Sequence, residues 1–192
     1  MRIEICGGIA SGKTTLAKLL EENGIGKAIY ENFEKNPFWE AFYKNPSKYA
    51  FETEIAFTLQ HYHEIKKNNN KDILITDYSF YLDLAYAKLG LQGKKLKIYL
   101  DILEEIYNDI SNADLLIYLD CSPNIELERI RKRNRKVEQN IEIGFLEMLN
   151  IKLVEVIKDI EFIKIDSNKY DFANNLLDKE KILNEIKKVL NK

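Results

Sequence analysis

Five short runs of apolar, largely β-branched residues punctuate the chain, at Arg2–Cys6, Lys27–Tyr30, Ile73–Thr76, Leu115–Leu119 and Phe162–Ile165. Between them, apolar positions recur every three or four residues through Lys13–Asn23, Phe38–Lys67, Phe80–Lys88, Leu96–Ser111, Asn124–Lys136, Ile143–Lys158 and Asp178–Leu190. The runs read as buried strands and the longer segments as amphipathic helices. Strands alternating with helices predict a parallel sheet covered on both faces, because each parallel connection needs a crossover. Leu115–Leu119 is almost continuously apolar, as a central strand must be. Asn45-Pro46 breaks the Phe38–Lys67 segment, and Asn68-Asn69-Asn70 ends it before the third strand. No repeat and no linker interrupts the pattern. A single three-layer α/β domain over residues 1–192, with five parallel strands, is expected.

Composition narrows the partners. The 192 residues are 45% hydrophobic and 31% charged, with a net charge of −2. That balance gives no electrostatic reason to expect nucleic-acid binding. No window approaches a membrane-spanning length. The chain opens directly on a strand-like run without the apolar stretch of a signal peptide, so a cytosolic location is expected. Cys6 and Cys121 sit in or beside strand-like runs and read as buried thiols; their spacing offers no zinc site.

The first strand leads into Gly7-Gly8-Ile9-Ala10-Ser11-Gly12-Lys13-Thr14, which matches GxxxxGK[ST], the Walker A pattern of a P-loop, and a helix follows it. Glycines let successive N–H groups turn inward toward an anion, and the helix N-terminus adds its positive dipole. Lys13 brings a point charge to the β- and γ-phosphates, and Thr14 offers a hydroxyl to magnesium. Thr15 joins the same nucleotide-binding set. The expected cofactors are ATP and Mg2+, and the expected fold is that of the P-loop NTPases.

Four further segments point to the acceptor: Glu31-Asn32-Phe33-Glu34-Lys35-Asn36-Pro37-Phe38; Phe42-Tyr43-Lys44-Asn45-Pro46; Asp77-Tyr78-Ser79; and Leu115–Pro123 running into the basic stretch Glu128–Glu138. Glu31 ends the second strand and Asp77 the third, at the sheet edge where open α/β folds bind ligands. Glu34 is close enough to rival Glu31. Asp77 or Ser79 could also cap the next helix. Arg129 and Arg133, four apart, share a helix face, and Arg135 follows at its end. Arg131 and Lys132 read as a solvated face.

Taken in order, these segments resemble the deoxynucleoside kinase family, salvage enzymes that phosphorylate the 5′-hydroxyl of deoxynucleosides. The resemblance runs from Ile3 to the Asp171-Phe172 region. It implies strand order 2-3-1-4-5 and a lid at about residues 129–140. It makes Glu31 the general base and Asp77 a magnesium residue. It brings Arg129, Arg133 and Arg135 onto the transferring phosphoryl group, with Arg129 also on the nucleotide. Tyr43 and Glu138 would bond the sugar 3′-hydroxyl. Glu54, His61 and Asp83 would line the base pocket, with Phe57 or Trp39 against the base. Asp166–Phe172 would cradle adenine. A homodimer through helices near Leu84–Leu91 and Leu96–Ile110 is implied; the apolar stripe of Ile98–Ile110 by itself fits core or interface.

Two positions depart from the family pattern. Tyr78 stands where members have an arginine that orients the base glutamate, and Lys35 or a lid arginine is a candidate to replace its charge. Glu54 stands where members use a glutamine. An ionised carboxylate only accepts hydrogen bonds, so Glu54 is expected to favour the two donors of a guanine edge, with purines and first deoxyguanosine as acceptors. The alternatives are a thymidylate-like nucleoside monophosphate kinase and a nucleotide-binding P-loop protein without catalysis.

Overall fold

A computed structural model describes residues 1–190. Five parallel strands form one sheet: β1 (Arg2–Gly7), β2 (Lys27–Ile29), β3 (Leu74–Thr76), β4 (Leu115–Asp120) and β5 (Phe162–Asp166), in the expected order β2-β3-β1-β4-β5. The register sets Ile3 beside Ile75 on one side and Leu115 on the other. Among the described residues, eight α-helices connect and cover the strands: α1 (Lys13–Glu22), α2 (Trp39–Lys44), α3 (Pro46–Lys67), α4 (Phe80–Gly90), α5 (Gly93–Ile110), α6 (Pro123–Arg133), α7 (Ile143–Ile157) and α8 (Leu176–Leu190). The break at Asn45-Pro46 is real, with Pro46 in the first turn of α3 and Asn45 Oδ1 accepting from the Lys48 N–H.

The sheet is buried on both faces, which explains its apolar runs. On one face, Leu16, Leu20, Ile182 and Ile186 from α1 and α8 pack on Ile3, Ile5 and Ile117. On the other, Leu146, Leu149 and Leu153 of α7 pack against Cys6, Leu116 and Tyr118. Each such leucine, shielded from water, contributes about 1.5–3 kcal/mol. In α5, Tyr99, Leu103 and Ile106 point into a third cluster with Phe80 and Leu91, so this helix's main apolar stripe belongs to the core.

One ionic contact braces the site from below. The Arg2 guanidinium donates to Glu4 Oε1 at 3.0 Å and to the carbonyls of Ile110 and Ser111, while Glu4 Oε2 accepts from the Phe80 N–H. This ties the end of α5 and the start of α4 to β1. No described helix is long and apolar enough to cross a membrane.

Candidate active site

β1 lies between β3 and β4, and the chain after it must turn over the sheet edge. Ala10 (φ 62°) and Gly12 (φ 109°) take left-handed backbone to make that turn. A Cβ at residue 8 would lie 2.0 Å from Glu126 Oε1 and 2.4 Å from Asn150 Oδ1, so those side-chain ends would have to move aside. Lys13 Nζ curls over the loop and donates to the carbonyls of Gly7 and Gly8 at 2.9 and 2.8 Å.

Beside the loop opens a cleft of about 550 Å³. Its floor is formed by Ile9, Ala10 and Gly12–Thr15 of the loop with Glu31, Asp77 and Tyr78 from the strand ends. Trp39 and Tyr43 from α2, Glu54 and Phe57 from α3, and Asp83 and Tyr86 from α4 build its walls. Arg129, Lys132, Arg133, Arg135 and Glu138 close the lid side. Lys132, read from sequence as part of a solvated face, therefore reaches the cleft. Phe33, Trp39 and Tyr43 form an aromatic ladder, with centroids 4.5 and 5.9 Å apart.

Three elements meet at Asp77. Its Oδ2 accepts from Thr14 Oγ1 and its Oδ1 from the Glu31 N–H, each at 2.6 Å. Burial pushes the Asp77 carboxyl up, opposed by these two hydrogen bonds. Ser79, not Asp77, caps α4, its Oγ accepting from the Leu82 N–H. Capping therefore does not occupy Asp77. Thr14 and Asp77 together present the hard oxygen donors that suit magnesium.

Glu31 follows β2 with its side chain 35% exposed toward the cleft. Burial pushes its carboxyl up, but His61, and then Lys13 and Arg135, outweigh that and hold it below the usual carboxylate range. Lys35 is exposed and lies outside the cleft lining.

His61 is the expected substrate contact that the cleft leaves out. Its ring stacks on Tyr78, with centroids 3.9 Å apart and planes 10° from parallel. Asp83 Oδ2 lies 2.8 Å from Nδ1, and Glu31 Oε1 lies 3.5 Å from Nε2. These neighbours draw His61 behind the wall, 1% exposed. Burial pulls its pKa down, but Asp83 and Glu31 push it up to about 10.

Glu54 faces the cleft yet is 4% exposed. Burial, then the Asp83 and Glu31 charges, raise its pKa well above the ordinary value against the pull of His61. Burial thus opposes the ionised form on which the expected guanine preference depends, since an ionised carboxylate only accepts hydrogen bonds while a protonated one can also donate. Asp83 is also raised, by burial foremost.

On the lid, Arg129 clamps the phosphate loop to the turn after β5. Its Nη1 donates to Ser167 Oγ at 2.9 Å and its Nη2 to the Ser167 carbonyl at 2.8 Å; the Ala10 and Ser11 carbonyls lie 3.3 Å from Nη1. Phe172, from the segment expected near adenine, packs so closely that a Cβ on Gly12 would lie 2.9 Å from its Cζ. Arg133 Nε and Nη2 both reach Glu138 Oε2, at 2.7 and 2.6 Å, and Arg135 Nη1 lies 3.4 Å from Oε1. The carboxylate expected at the sugar and two arginines expected at the phosphoryl group are thus paired with one another. Arg135 also lies over the Phe33 ring at 4.1 Å.

Glu126 had no sequence signal beyond its place in a helical first turn. It is fully buried beneath Gly8, hydrogen-bonded by Asn150 Nδ2 at 3.1 Å, and burial pushes its carboxyl up to about 8.

Comparison with known proteins finds similarity along nearly the whole chain. The family model described as deoxynucleoside kinase matches residues 3–191. A Bacillus subtilis protein named deoxyguanosine kinase is 29% identical over 200 residues, covering 98% of this chain and 97% of its own. A Lactobacillus acidophilus protein named deoxyadenosine kinase is 27% identical over 201 residues, covering 96% and 94%. The solved structure of deoxyadenosine kinase from M. mycoides, with dCMP and a flexible dCDP bound as products, superposes with a TM-score of 0.83. It is 25% identical, covering 98% of this chain and 100% of that one.

Proposed function

The chain belongs to the deoxynucleoside kinase family of phosphotransferases, and on that premise we propose that it transfers the γ-phosphoryl group of ATP to the 5′-hydroxyl of a purine deoxynucleoside. The observation that carries this reading is the run Thr14–Asp77–Glu31. One carboxylate links the phosphate loop, through two 2.6 Å hydrogen bonds, to the residue whose own carboxylate faces the acceptor cleft. Donor and acceptor ends of the reaction are thereby held in one frame.

Glu31, kept ionised by its cationic neighbours, takes the proton of the acceptor hydroxyl. Lys13 leaves the Gly7 and Gly8 carbonyls to meet the nucleotide phosphates, and the backbone N–H groups of the loop orient them. Thr14 and Asp77 would hold magnesium, which when bound neutralises phosphate charge. Arg133 and Arg135, released from Glu138 as the lid closes, stabilise charge on the transferring group. Glu138 and Tyr43 then serve the sugar hydroxyl. Phe57 and Trp39 flank the base, while Glu54 pairs with its edge. The Asp83 carboxyl favours an exocyclic amine, and the similarity to proteins named deoxyguanosine and deoxyadenosine kinase supports a purine.

We also retain a cytosolic homodimer. Its interface would run through the helices near Leu84–Leu91 and Leu96–Ile110: α5 exposes Ile98 and Leu100 although its main stripe is in the core, and α7, packed along α4, exposes Met148, Ile151 and Val154.

The deciding experiment is ADP release with magnesium, ATP and each deoxynucleoside or its monophosphate, with Lys13→Ala as control. Turnover with deoxynucleosides, absent in the control, supports the reading. Turnover confined to monophosphates overturns it.

A further inference from the structure

Behind the cleft wall a single imidazole stands between two carboxylates. Asp83 Oδ2 is 2.8 Å from Nδ1, and Glu31 Oε1 is 3.5 Å from Nε2. A neutral imidazole has one donor and one acceptor nitrogen, and an acceptor nitrogen facing a carboxylate oxygen is repulsive. With both neighbours ionised, the doubly protonated ring suits both, and the upward push of Asp83 and Glu31 on His61 agrees. The ring is also fixed in place. Tyr78, 2% exposed, lies against one face at stacking distance, and the Phe57 centroid lies 5.8 Å away.

Nε2 is fully buried yet makes no hydrogen bond. At 3.5 Å it is at ion-pair distance from Glu31 but beyond a well-formed hydrogen bond. A small inward turn of the Glu31 carboxylate would close that gap. We propose that His61 is a positioning residue for phosphoryl transfer, holding Glu31 Oε1 from behind so that Oε2 faces the acceptor hydroxyl. It occupies the side of Glu31 where Tyr78 brings no charge. The other ionisable groups facing His61 are Asp83 from α4, Glu54 from α3 and Tyr78 from the end of β3.

This inference rests on the reading of Glu31 as the base, so its test carries Glu31→Gln alongside. His61→Phe keeps the stack on Tyr78 and removes both nitrogens. His61→Gln keeps an uncharged donor group. With folding checked by thermal melting, steady-state rates with saturating ATP and deoxynucleoside are expected to fall roughly tenfold or more in both variants. The KM for ATP is expected to stay within about twofold of the parent, because Lys13 and the loop are untouched. In His61→Ala, added imidazole is expected to restore part of kcat with saturation. Should folded His61→Phe and His61→Gln keep the parent kcat while Glu31→Gln has lost it, the positioning role is overturned and the kinase reading stands. Parent-like turnover in Glu31→Gln overturns the assignment of the base, and this proposal with it.

Discussion

Thr14 Oγ1 donates a 2.6 Å hydrogen bond to Asp77 Oδ2, joining the first turn of α1 to the end of β3. Both residues also face the cleft. Asp77→Asn removes the charge but keeps the shape. It is expected to lower kcat by about 10²–10³-fold, as loss of one preorganised electrostatic group does. A magnesium titration of ADP release should show the half-saturating concentration rising. Unchanged magnesium dependence would separate Asp77 from the metal.

Glu54 bears on base choice through its protonation. A protonated Glu54 could both donate and accept, as a glutamine amide can, whereas the ionised form only accepts. Because burial raises the Glu54 pKa, Glu54→Gln is expected to leave the order of preferred deoxynucleosides unchanged near neutral pH. Comparing kcat/KM for the four deoxynucleosides checks this. A loss of guanine preference in the variant would mean that Glu54 works as the anion.

Stability should depend on pH through His61. Its folded pKa is raised from 6.5 to about 10, so its contribution is complete below 6.5 and is lost as pH rises through 10. The raised carboxyls of Glu54 and Asp83 act in the same direction once pH passes their ordinary values, because ionisation is disfavoured in the folded state. Melting temperature is expected to fall between pH 7 and 10, and His61→Gln should flatten that fall. A parent profile flat over this range would contradict it.

Gly8→Ala places a methyl group against Glu126 and Asn150. Overpacking of this kind costs about 1–3 kcal/mol, measurable by denaturant unfolding. ATP binding should weaken as well, since the loop must shift. Adding Glu126→Ala is expected to recover part of the stability.

Much of this protein follows from the order of its residues alone. Period and β-branching located all five strands and the helices between them to within a few residues, because a buried strand or an amphipathic helix carries its own local pattern. The break at Asn45-Pro46 came from proline's missing N–H. The phosphate loop is a contiguous motif flanked by its strand and helix. Glu31 and Asp77 meet at one cleft because strand ends in a parallel sheet share one edge, while their roles come from the family resemblance.

Tertiary structure decided the charge states and the pairings. His61 reads as a pocket residue in sequence, but Tyr78, Asp83 and Glu31, brought from three other elements, draw it behind the wall. The Glu54 pKa is raised because burial beside Asp83 and Glu31 removes the water an anion needs. Nothing local signalled that Glu126 would lie beneath Gly8 or that Ser167 would hold Arg129. Helical and strand periods are set by neighbours along the chain; desolvation and ion pairing are set by neighbours in space, which only the packed fold assembles.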